Sequence, residues 1–238
     1  MTLTQDNYFG REASHKFMSV SQFKAFERFV SEHPELFKKN GELKADFVQA
    51  EQIYQRIKAD KLSMMLLSGR HQVIVTGEIA GVPFRGKIDS LLSSEQCEAI
   101  IAEFPDTAAV LGGPFGSVGA IVDGKVMRDF LPVWSDTEGR KVHWVDAWGY
   151  ALQGGVYRHL EGGGKPFVLA AASKEAEPDL TAQYVPVPEL EAALHYVEEK
   201  APIYHRIKLG EIDPVRCERC EWCRRTKKLT SITNYKEA

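Results

Sequence analysis

The stretch HQVIVTGEIAGVPFRGKIDSLL at residues 71–92 and the shorter GAIVDGKVM at residues 119–127 decide the fold of this chain. In the first, apolar and polar residues alternate on both sides of Gly81, a pattern that predicts a β-hairpin. In the second, three consecutive apolar residues predict a short buried strand. Both runs lead to an aspartate, which is Asp89 in the first and Asp123 in the second.

The surrounding segments predict helices on both sides of these strands. Apolar residues recur at three- and four-residue intervals in four segments, which predicts amphipathic helices at 18–30, 45–60, 145–160 and 187–210, the last with a proline interruption. KPFVLAAASK at 165–174 is typical of an apolar strand. The order hairpin, strand, helix, strand, helix predicts an α/β domain with a mixed central sheet flanked by helices.

Composition and length limit the class of protein. The chain has 238 residues, of which 44% are hydrophobic, so it can build a core and is unlike a disordered chain. No apolar run is long enough for a membrane helix, and the N-terminus lacks the apolar segment of a secretion signal, so a cytoplasmic protein is expected. We expect an N-terminal helical region at 1–70, a core at 71–210 and a basic, cysteine-rich tail at 211–238. The Gly-rich segment at about 93–119 is interpreted as an inserted loop that contains at most one short helix or strand.

The two aspartates suggest a metal site. Alternation along a strand places Asp123 and Lys125 on one face. Carboxylates brought together by neighbouring strands repel unless a cation lies between them, and oxygen ligands favour Mg²⁺ or Mn²⁺. The backbone carbonyl of Gly124 is a further candidate ligand, and Lys125 could position an attacking water. A solvated salt bridge at a strand end would show the same three residues.

The wider pattern resembles the PD-(D/E)xK nuclease superfamily. An acidic residue after a hairpin, a short apolar strand, D-x-K and then a helix follow one another in that order. The helix carries Gln153 and Tyr157, which match the Q-x-x-x-Y motif of the RecB-type branch, and residues four apart share a helix face. The resemblance implies that Asp89 and Asp123 bind metal, that Lys125 assists the water, and that Gln153 and Tyr157 line the site. Taken alone, Gln153 could equally be an exposed polar residue.

Five short blocks sharpen this resemblance. MSVSQFKAF, VTGEIAGVPFRGKIDS, GAIVDGKVM, WGYALQGGVY and RCERCEWCRRTKK look like the phage-type, RecE-like exonucleases, also described as exodeoxyribonuclease VIII-like. That resemblance implies metal-dependent digestion of double-stranded DNA to 5′-phosphate products, often in recombination with a RecT-type single-strand annealing protein. It also implies a possible homo-oligomer, since such enzymes often enclose DNA in a ring.

Two features depart from this family. Its N-terminal helical region usually contributes an acidic residue or histidine to the metal site, and here Glu51 is only a candidate for that role. The 93–119 segment begins four residues beyond Asp89 and could reshape or cover the cleft. Both departures motivate a rival hypothesis, namely a catalytically weak or inactive DNA-binding recombination-accessory protein on the same fold.

Three of the four cysteines are clustered. Cys217, Cys220 and Cys223 form a C-x2-C-x2-C run, whose spacing allows the thiolates to share zinc or an iron–sulfur cluster. A closed site usually needs four ligands, and Cys97 or His205 could supply the fourth. The alternative is a reduced cysteine knuckle that binds no metal.

The charge distribution indicates where DNA would bind. The net charge of −3 does not suggest a nucleic-acid partner, but it conceals a segment of +5 at 200–228 and one of −8 at 1–199. Basic groups can neutralise phosphates, and Trp222 among them could stack on a base. A solvated cationic face with Trp222 packed inward is the alternative.

Overall fold

A computed structural model describes residues 32–39, 42, 44–113, 116–232, 234 and 236. The helix predicted at 18–30 lies outside them. The helix predicted at 45–60 is confirmed as α1 (Ala45–Lys58), which is followed by α2 (Lys61–Leu66). The side chain of Asp60 caps α2 by accepting a hydrogen bond from the Ser63 amide at 2.8 Å, so the two helices are separated at this residue.

A five-stranded mixed sheet forms the centre of the protein. Its strands are β1 (Arg70–Ile79), β2 (Val82–Leu92), β3 (Ala120–Met127), β6 (Phe167–Ser173) and β7 (Leu180–Val185), in the order β1-β2-β3-β6-β7. The predicted hairpin is confirmed as β1–β2, and β3 pairs with β6 in parallel, while all other pairs are antiparallel. All seven residues of β6 are buried, as a continuous apolar run in a strand covered on both faces requires.

Helices and a second small sheet surround these strands. The remaining α-helices are α3 (Ser94–Glu103), α4 (Ala108–Leu111), α5 (Trp144–Ala147), α6 (Tyr150–Leu160), α7 (Val187–Lys208) and α8 (Glu221–Arg225), and two short 3-10 helices span Pro34–Leu36 and Pro105–Thr107. β4 (Val133–Ser135) and β5 (Arg140–Val142) pair as a separate hairpin. Among the described helices, none is both long enough and apolar enough to cross a membrane.

The two faces of the sheet carry different cores. Ile121 of β3 belongs to a core between the sheet and helices α5–α7, whereas its neighbour Val122 belongs to a core formed with α2–α4. Asp123 follows the same alternation as Ile121, so it lies on the α6 side of the sheet. The face on which a β3 residue lies therefore decides whether it can reach the helix that carries Gln153.

Several elements differ from the sequence-based expectation. The 93–119 segment is more helical than expected, since it contains both α3 and α4. These helices contribute the buried residues Cys97, Ile100 and Leu111 to the core on the side of the sheet opposite α6. The helix predicted at 145–160 is divided, since Gly149 adopts a φ of 65° between α5 and α6. Helix α7 continues through Pro202 without interruption. The strands β4, β5 and β7 were not predicted.

Helix α6 approaches the sheet and α7 closely because it has two adjacent glycines. A side-chain carbon at Gly154 would lie 2.7 Å from atoms of Phe167 and Leu190, and one at Gly155 would lie 2.6 Å from the Leu190 carbonyl oxygen. Both distances are shorter than van der Waals contact. The glycines therefore set the separation between α6, which carries the QxxxY residues, and the sheet, which carries the aspartates.

We predict that Gly154→Ala destabilises the protein although alanine is the better helix former. Helix propensity favours alanine by about 1 kcal/mol, whereas overpacking costs about 1–3 kcal/mol. Urea unfolding would measure the difference. The control is Ala192→Gly on the exposed face of α7, where propensity alone acts and glycine should be the less stable residue. A gain in stability from Gly154→Ala would contradict the close packing.

Candidate active site

The two aspartates meet where β2 and β3 separate. The antiparallel register pairs Leu91 with Ile121 and Ser90 with Val122. Extended by one residue, the same register places Asp89 opposite Asp123. Ladder pairing ends before that point, and the Gly124 amide instead donates a hydrogen bond to Asp89 Oδ2 at 3.1 Å. The structure thus brings the two carboxylates of the motif together.

Asp123 is the buried member of the pair. Only 1% of the residue is exposed, and Gln153 Nε2 donates to its Oδ1 at 2.8 Å, while the Lys125 ammonium forms an ion pair with its Oδ2. Burial raises the pKa of Asp123, the Lys125 ammonium lowers it in part, and the nearby charge of Asp89 raises it further. The net effect is a raised pKa, so the folded protein resists the charged form of Asp123 in the absence of a cation.

Lys125 is held by three partners on the same face. Besides its ion pair with Asp123, its ammonium donates to Gln153 Oε1 at 3.0 Å and lies 4.6 Å from the centre of the Tyr150 ring. An ammonium over an aromatic face is attracted by the electron-rich ring. Tyr150, which follows the helix break at Gly149, was not among the predicted site residues.

The QxxxY pair forms a connected chain of hydrogen bonds. Gln153 Nε2 donates to the Tyr157 hydroxyl at 3.0 Å, and that hydroxyl donates to the Lys87 carbonyl at 2.8 Å. Gly86 leaves room for the Tyr157 ring, since a side-chain carbon there would lie 2.8 Å from it. Tyr157 therefore fixes Gln153 to strand β2, and Gln153 in turn contacts both Asp123 and Lys125.

A residue that the sequence pattern did not indicate positions Asp89. Gln72 Nε2 donates to Asp89 Oδ1 at 2.9 Å, and Gln72 has a φ of 55°, which is unusual for a residue with a side chain. The β1–β2 ladder omits the Gln72–Asp89 pair, and both Ile88 and Leu91 belong to the α6-side core. The strand pairing is thus irregular at Asp89, whose carboxylate accepts hydrogen bonds from the Gln72 side chain on β1 and the Gly124 amide on β3.

Glu51 is not brought into this cluster. It accepts a hydrogen bond from Gln55 on its own helix at 2.7 Å. Over the part of the chain that the structure describes, three or more possible metal-ligating groups within 4.8 Å of one another occur only at the tail cysteines. The suggestion that Glu51 joins Asp89 and Asp123 is therefore not supported, and the role of the Gly124 carbonyl stays a prediction.

The residues at this point fit a hard divalent cation. Two carboxylates converge, and Asp123 Oδ2 is buried with the Lys125 charge beside it but no well-aligned hydrogen bond from any described residue. A buried carboxylate oxygen with a free lone pair is a suitable ligand for Mg²⁺ or Mn²⁺. Such an ion would offset the burial that raises the pKa of Asp123.

The cysteines form a second cluster, far along the chain. The sulfurs of Cys217, Cys220 and Cys223 lie within 4.8 Å of one another, and those of Cys217 and Cys223 are 3.8 Å apart. Hydrogen bonds from the backbone amides of Arg219 and Cys220 contribute most to lowering the pKa of Cys217 to about 6. Neither Cys97 nor His205 joins this group, which corrects both suggestions for a fourth ligand. Cys97 is instead buried in the α2–α4 core.

A β-hairpin, a strand carrying D-x-K and a helix carrying QxxxY, with these side chains in mutual contact, define a PD-(D/E)xK-like nuclease fold. The chain belongs to a family described as a PDDEXK-like domain of unknown function (DUF3799), whose model matches residues 9–100 and 116–226. The residues between the two matched parts, 101–115, fall within the segment interpreted as an insertion.

The chain also resembles a protein of known structure. The crystal structure of a protein from Eubacterium rectale named "Putative exonuclease" is 34% identical, with a TM-score of 0.66 over 98% of this chain and 75% of that chain. A comparison with curated protein sequences finds no match. The family and this neighbour together support a nuclease function.

The raised pKa of Asp123 predicts that its charge costs stability in metal-free protein. We expect Asp123→Asn to raise the free energy of unfolding at pH 7 in a chelator. The unfolded carboxyl loses its proton at a lower pH than the folded one. The stability of the wild type relative to the variant should therefore fall as pH rises from the ordinary aspartate pKa through the raised folded pKa.

Urea unfolding over a pH series measures this trend. Asp89→Asn is the control, since Asp89 is only partly buried and its carboxylate accepts two hydrogen bonds, so this variant should not gain stability. A wild type that is more stable than Asp123→Asn at pH 7, with no dependence on pH, would contradict the prediction.

The backbone at Gln72 yields a separate prediction. Gln72→Gly and Gln72→Ala both remove the amide that contacts Asp89, but only glycine adopts a positive φ without strain. We expect the glycine variant to be more stable than the alanine variant by about 1 kcal/mol in thermal or urea unfolding. At the neighbouring His71, whose φ is not positive, alanine should be the more stable of the same two substitutions. Equal stabilities of the two Gln72 variants would argue against the strain.

Proposed function

We propose that this protein is a metal-dependent deoxyribonuclease, an exonuclease that hydrolyses the phosphodiester bonds of linear duplex DNA. The observation that carries the proposal is the contact network in which Gln153 links Asp123 to Lys125, while Asp89 accepts a hydrogen bond from the amide of Gly124, the residue next to Asp123. Two neighbouring carboxylates and one ammonium can hold a cation and a phosphate side by side.

Each residue has a distinct task in this proposal. Asp89 and Asp123, with the Gly124 carbonyl as a further ligand, would hold Mg²⁺ or Mn²⁺. When bound there, the ion supplies the charge that polarises the phosphodiester and acidifies a water molecule. The Lys125 ammonium orients the attacking water and neutralises charge that develops on the phosphate oxygens.

The remaining residues act by orientation. Gln153 accepts from Lys125 and donates to Asp123, which keeps the ammonium and the carboxylate at a fixed separation. Tyr157 anchors Gln153 to β2, and Gln72 anchors Asp89 to β1. Because fixed groups need no rearrangement as charge develops, this anchoring should lower the barrier of hydrolysis.

The biological setting completes the proposal. A cytoplasmic exonuclease of phage or prophage recombination would pass single-stranded DNA to a RecT-type annealing protein, and a homo-oligomer could enclose the duplex. The basic tail supports contact with DNA, since Arg224 and Arg225 lie in the last turn of α8 and Trp222 is 48% exposed. An exposed aromatic among basic residues suits binding to phosphates and bases.

A second candidate function is DNA binding without catalysis, in a recombination-accessory role. One observation favours it: within the described residues, no further histidine, cysteine or carboxylate side chain lies with Asp89 and Asp123. Two carboxylates hold a divalent ion less tightly than three. The two candidates make opposite predictions about cleavage.

Cleavage of linear duplex DNA in Mg²⁺ separates these functions. We expect the wild type to release nucleotides, a chelator to stop the reaction, and Lys125→Ala to slow it about 100-fold or more. Lys141→Ala, which removes an exposed lysine of β5, is the control and should cleave at the wild-type rate.

Two results would overturn parts of the proposal. Absence of metal-dependent cleavage by the wild type, with DNA binding retained, would leave the accessory role. Wild-type rates from Lys125→Ala would show that this lysine is not part of the catalytic site. End-labelled substrates in the same assay would reveal whether digestion starts from DNA ends.

A further inference from the structure

The cysteine knuckle, residues 217–223, has a geometry that identifies the kind of ion it could bind. Its three sulfurs lie within 4.8 Å of one another, and those of Cys217 and Cys223 are 3.8 Å apart. A tetrahedral zinc ion with Zn–S bonds of about 2.3 Å places any two of its sulfurs about 3.8 Å apart. We propose that Cys217, Cys220 and Cys223 bind a single zinc ion at a site separate from the nuclease centre.

The backbone around the sulfurs is arranged for thiolates. The Cys220 amide donates to Cys217 Sγ at 3.3 Å, and the Cys223 amide donates to Cys220 Sγ at 3.4 Å. Amide hydrogen bonds stabilise negative charge on sulfur, and metal binding requires the thiolate form. The turn thus brings all three sulfurs together, and its amides stabilise negative charge on those of Cys217 and Cys220.

An iron–sulfur cluster fits the same residues less well. In a four-iron cluster each cysteine binds a different iron atom, so the cluster itself keeps the sulfurs apart, and four cysteines are normally used. Here three sulfurs are close enough to share one ion, and the fourth cysteine, Cys97, is buried in the α2–α4 core. The spacing therefore favours a mononuclear site.

The tail offers little else to keep this turn folded. Between residues 211 and 232, Cys223 alone is buried. Helix α8 has only five residues, too few to be stable by itself. Arg216 adds hydrogen bonds to the Cys223 carbonyl at 2.6 Å and to Thr226 at 3.0 Å, and it lies over the Trp222 ring. A segment with so small an apolar core usually needs a metal to fold, as small zinc modules do.

Three protein thiolates leave one position of a tetrahedral ion open. Within the described residues, no further histidine, cysteine or carboxylate joins the group. We assign that position to an exchangeable ligand such as water. The bound ion would hold Trp222, Arg224 and Arg225 in a fixed arrangement at the surface.

Metal analysis of the full-length chain, purified anaerobically without chelator, tests the zinc site. We expect about one zinc per chain, with neither iron nor acid-labile sulfide. Replacement by Co²⁺ should give the visible bands of tetrahedral cobalt with thiolate charge transfer. Cys217→Ser and Cys220→Ser should each lower the zinc content at least tenfold.

Two control variants test whether the zinc binds at the cysteine knuckle and nowhere else in the protein. Asp123→Asn alters the proposed nuclease centre and Cys97→Ala removes the cysteine outside the knuckle, and both variants should retain the zinc. Loss of zinc from Asp123→Asn would show that the zinc binds at the nuclease centre and not at the cysteine knuckle. Iron together with labile sulfide would show a cluster instead, and metal-free wild-type protein would overturn the proposal.

Hydrogen exchange supplies a readout that is independent of cleavage. Removal of zinc from the wild type should speed exchange at the Cys220 and Cys223 amides at least tenfold and leave β3 and β6 unchanged. Unchanged exchange in the tail would show that the ion does not order it. This result is independent of whether the protein is a nuclease.

Discussion

The burial of one negative charge, on Asp123, is the constraint on which the site depends. The carboxylate lies at a position with 1% exposure, next to the point where β2 and β3 separate. Transfer of a charged group from water into such a position is unfavourable unless opposite charge and hydrogen bonds replace the water. Lys125 supplies the charge, Gln153 supplies the hydrogen bond, and the raised pKa shows that these two do not fully compensate.

Much of the surrounding fold positions Lys125 and Gln153 next to Asp123. Lys125 reaches Asp123 because residues two apart share a strand face. Gln153 reaches both because α6 packs closely on the sheet, which Gly154 permits. Tyr157 then fastens the helix to β2 through the Lys87 carbonyl. Packing far from the carboxylates therefore determines how the carboxylates are paired, and the remaining deficit of positive charge is what a divalent cation would supply.

The strands and helices that carry the candidate site could be predicted from the sequence. Period-two alternation identified the hairpin, and the D-x-K and QxxxY spacings indicated that Asp89, Asp123, Lys125, Gln153 and Tyr157 belong together. The hairpin is confirmed, and Gln153 contacts Asp123, Lys125 and Tyr157, because strand and helix periodicity fix which side of an element a residue occupies. Asp123 and Lys125 follow that periodicity within β3, and Gln153 and Tyr157 follow it along one face of α6.

The contributions of Gln72 and Tyr150 could not be predicted in this way. Gln72 acts through a positive φ that breaks the strand alternation, and no local residue pattern signals a non-glycine residue in that conformation. Tyr150 meets Lys125 only because the helix is interrupted at Gly149. The sequence does not predict both α3 and α4, because glycines and small residues dominate the end of that segment and the apolar residues of these helices pack against α2 and the sheet.

The two candidate metal sites are separated by their chemistry as well as by position. The aspartate pair offers hard oxygen ligands, whereas the cysteine knuckle offers soft sulfur ligands, so Mg²⁺ and zinc need not compete for the same residues. The distribution of charge follows the same division, since the body of the chain to residue 199 carries −8 and the segment 200–228 carries +5. A polyanionic substrate would be attracted to the tail and repelled by most of the body. The proposed cation at Asp89 and Asp123 would reverse that repulsion at the one place where a phosphate must approach a carboxylate, so substrate binding and catalysis would depend on the same ion.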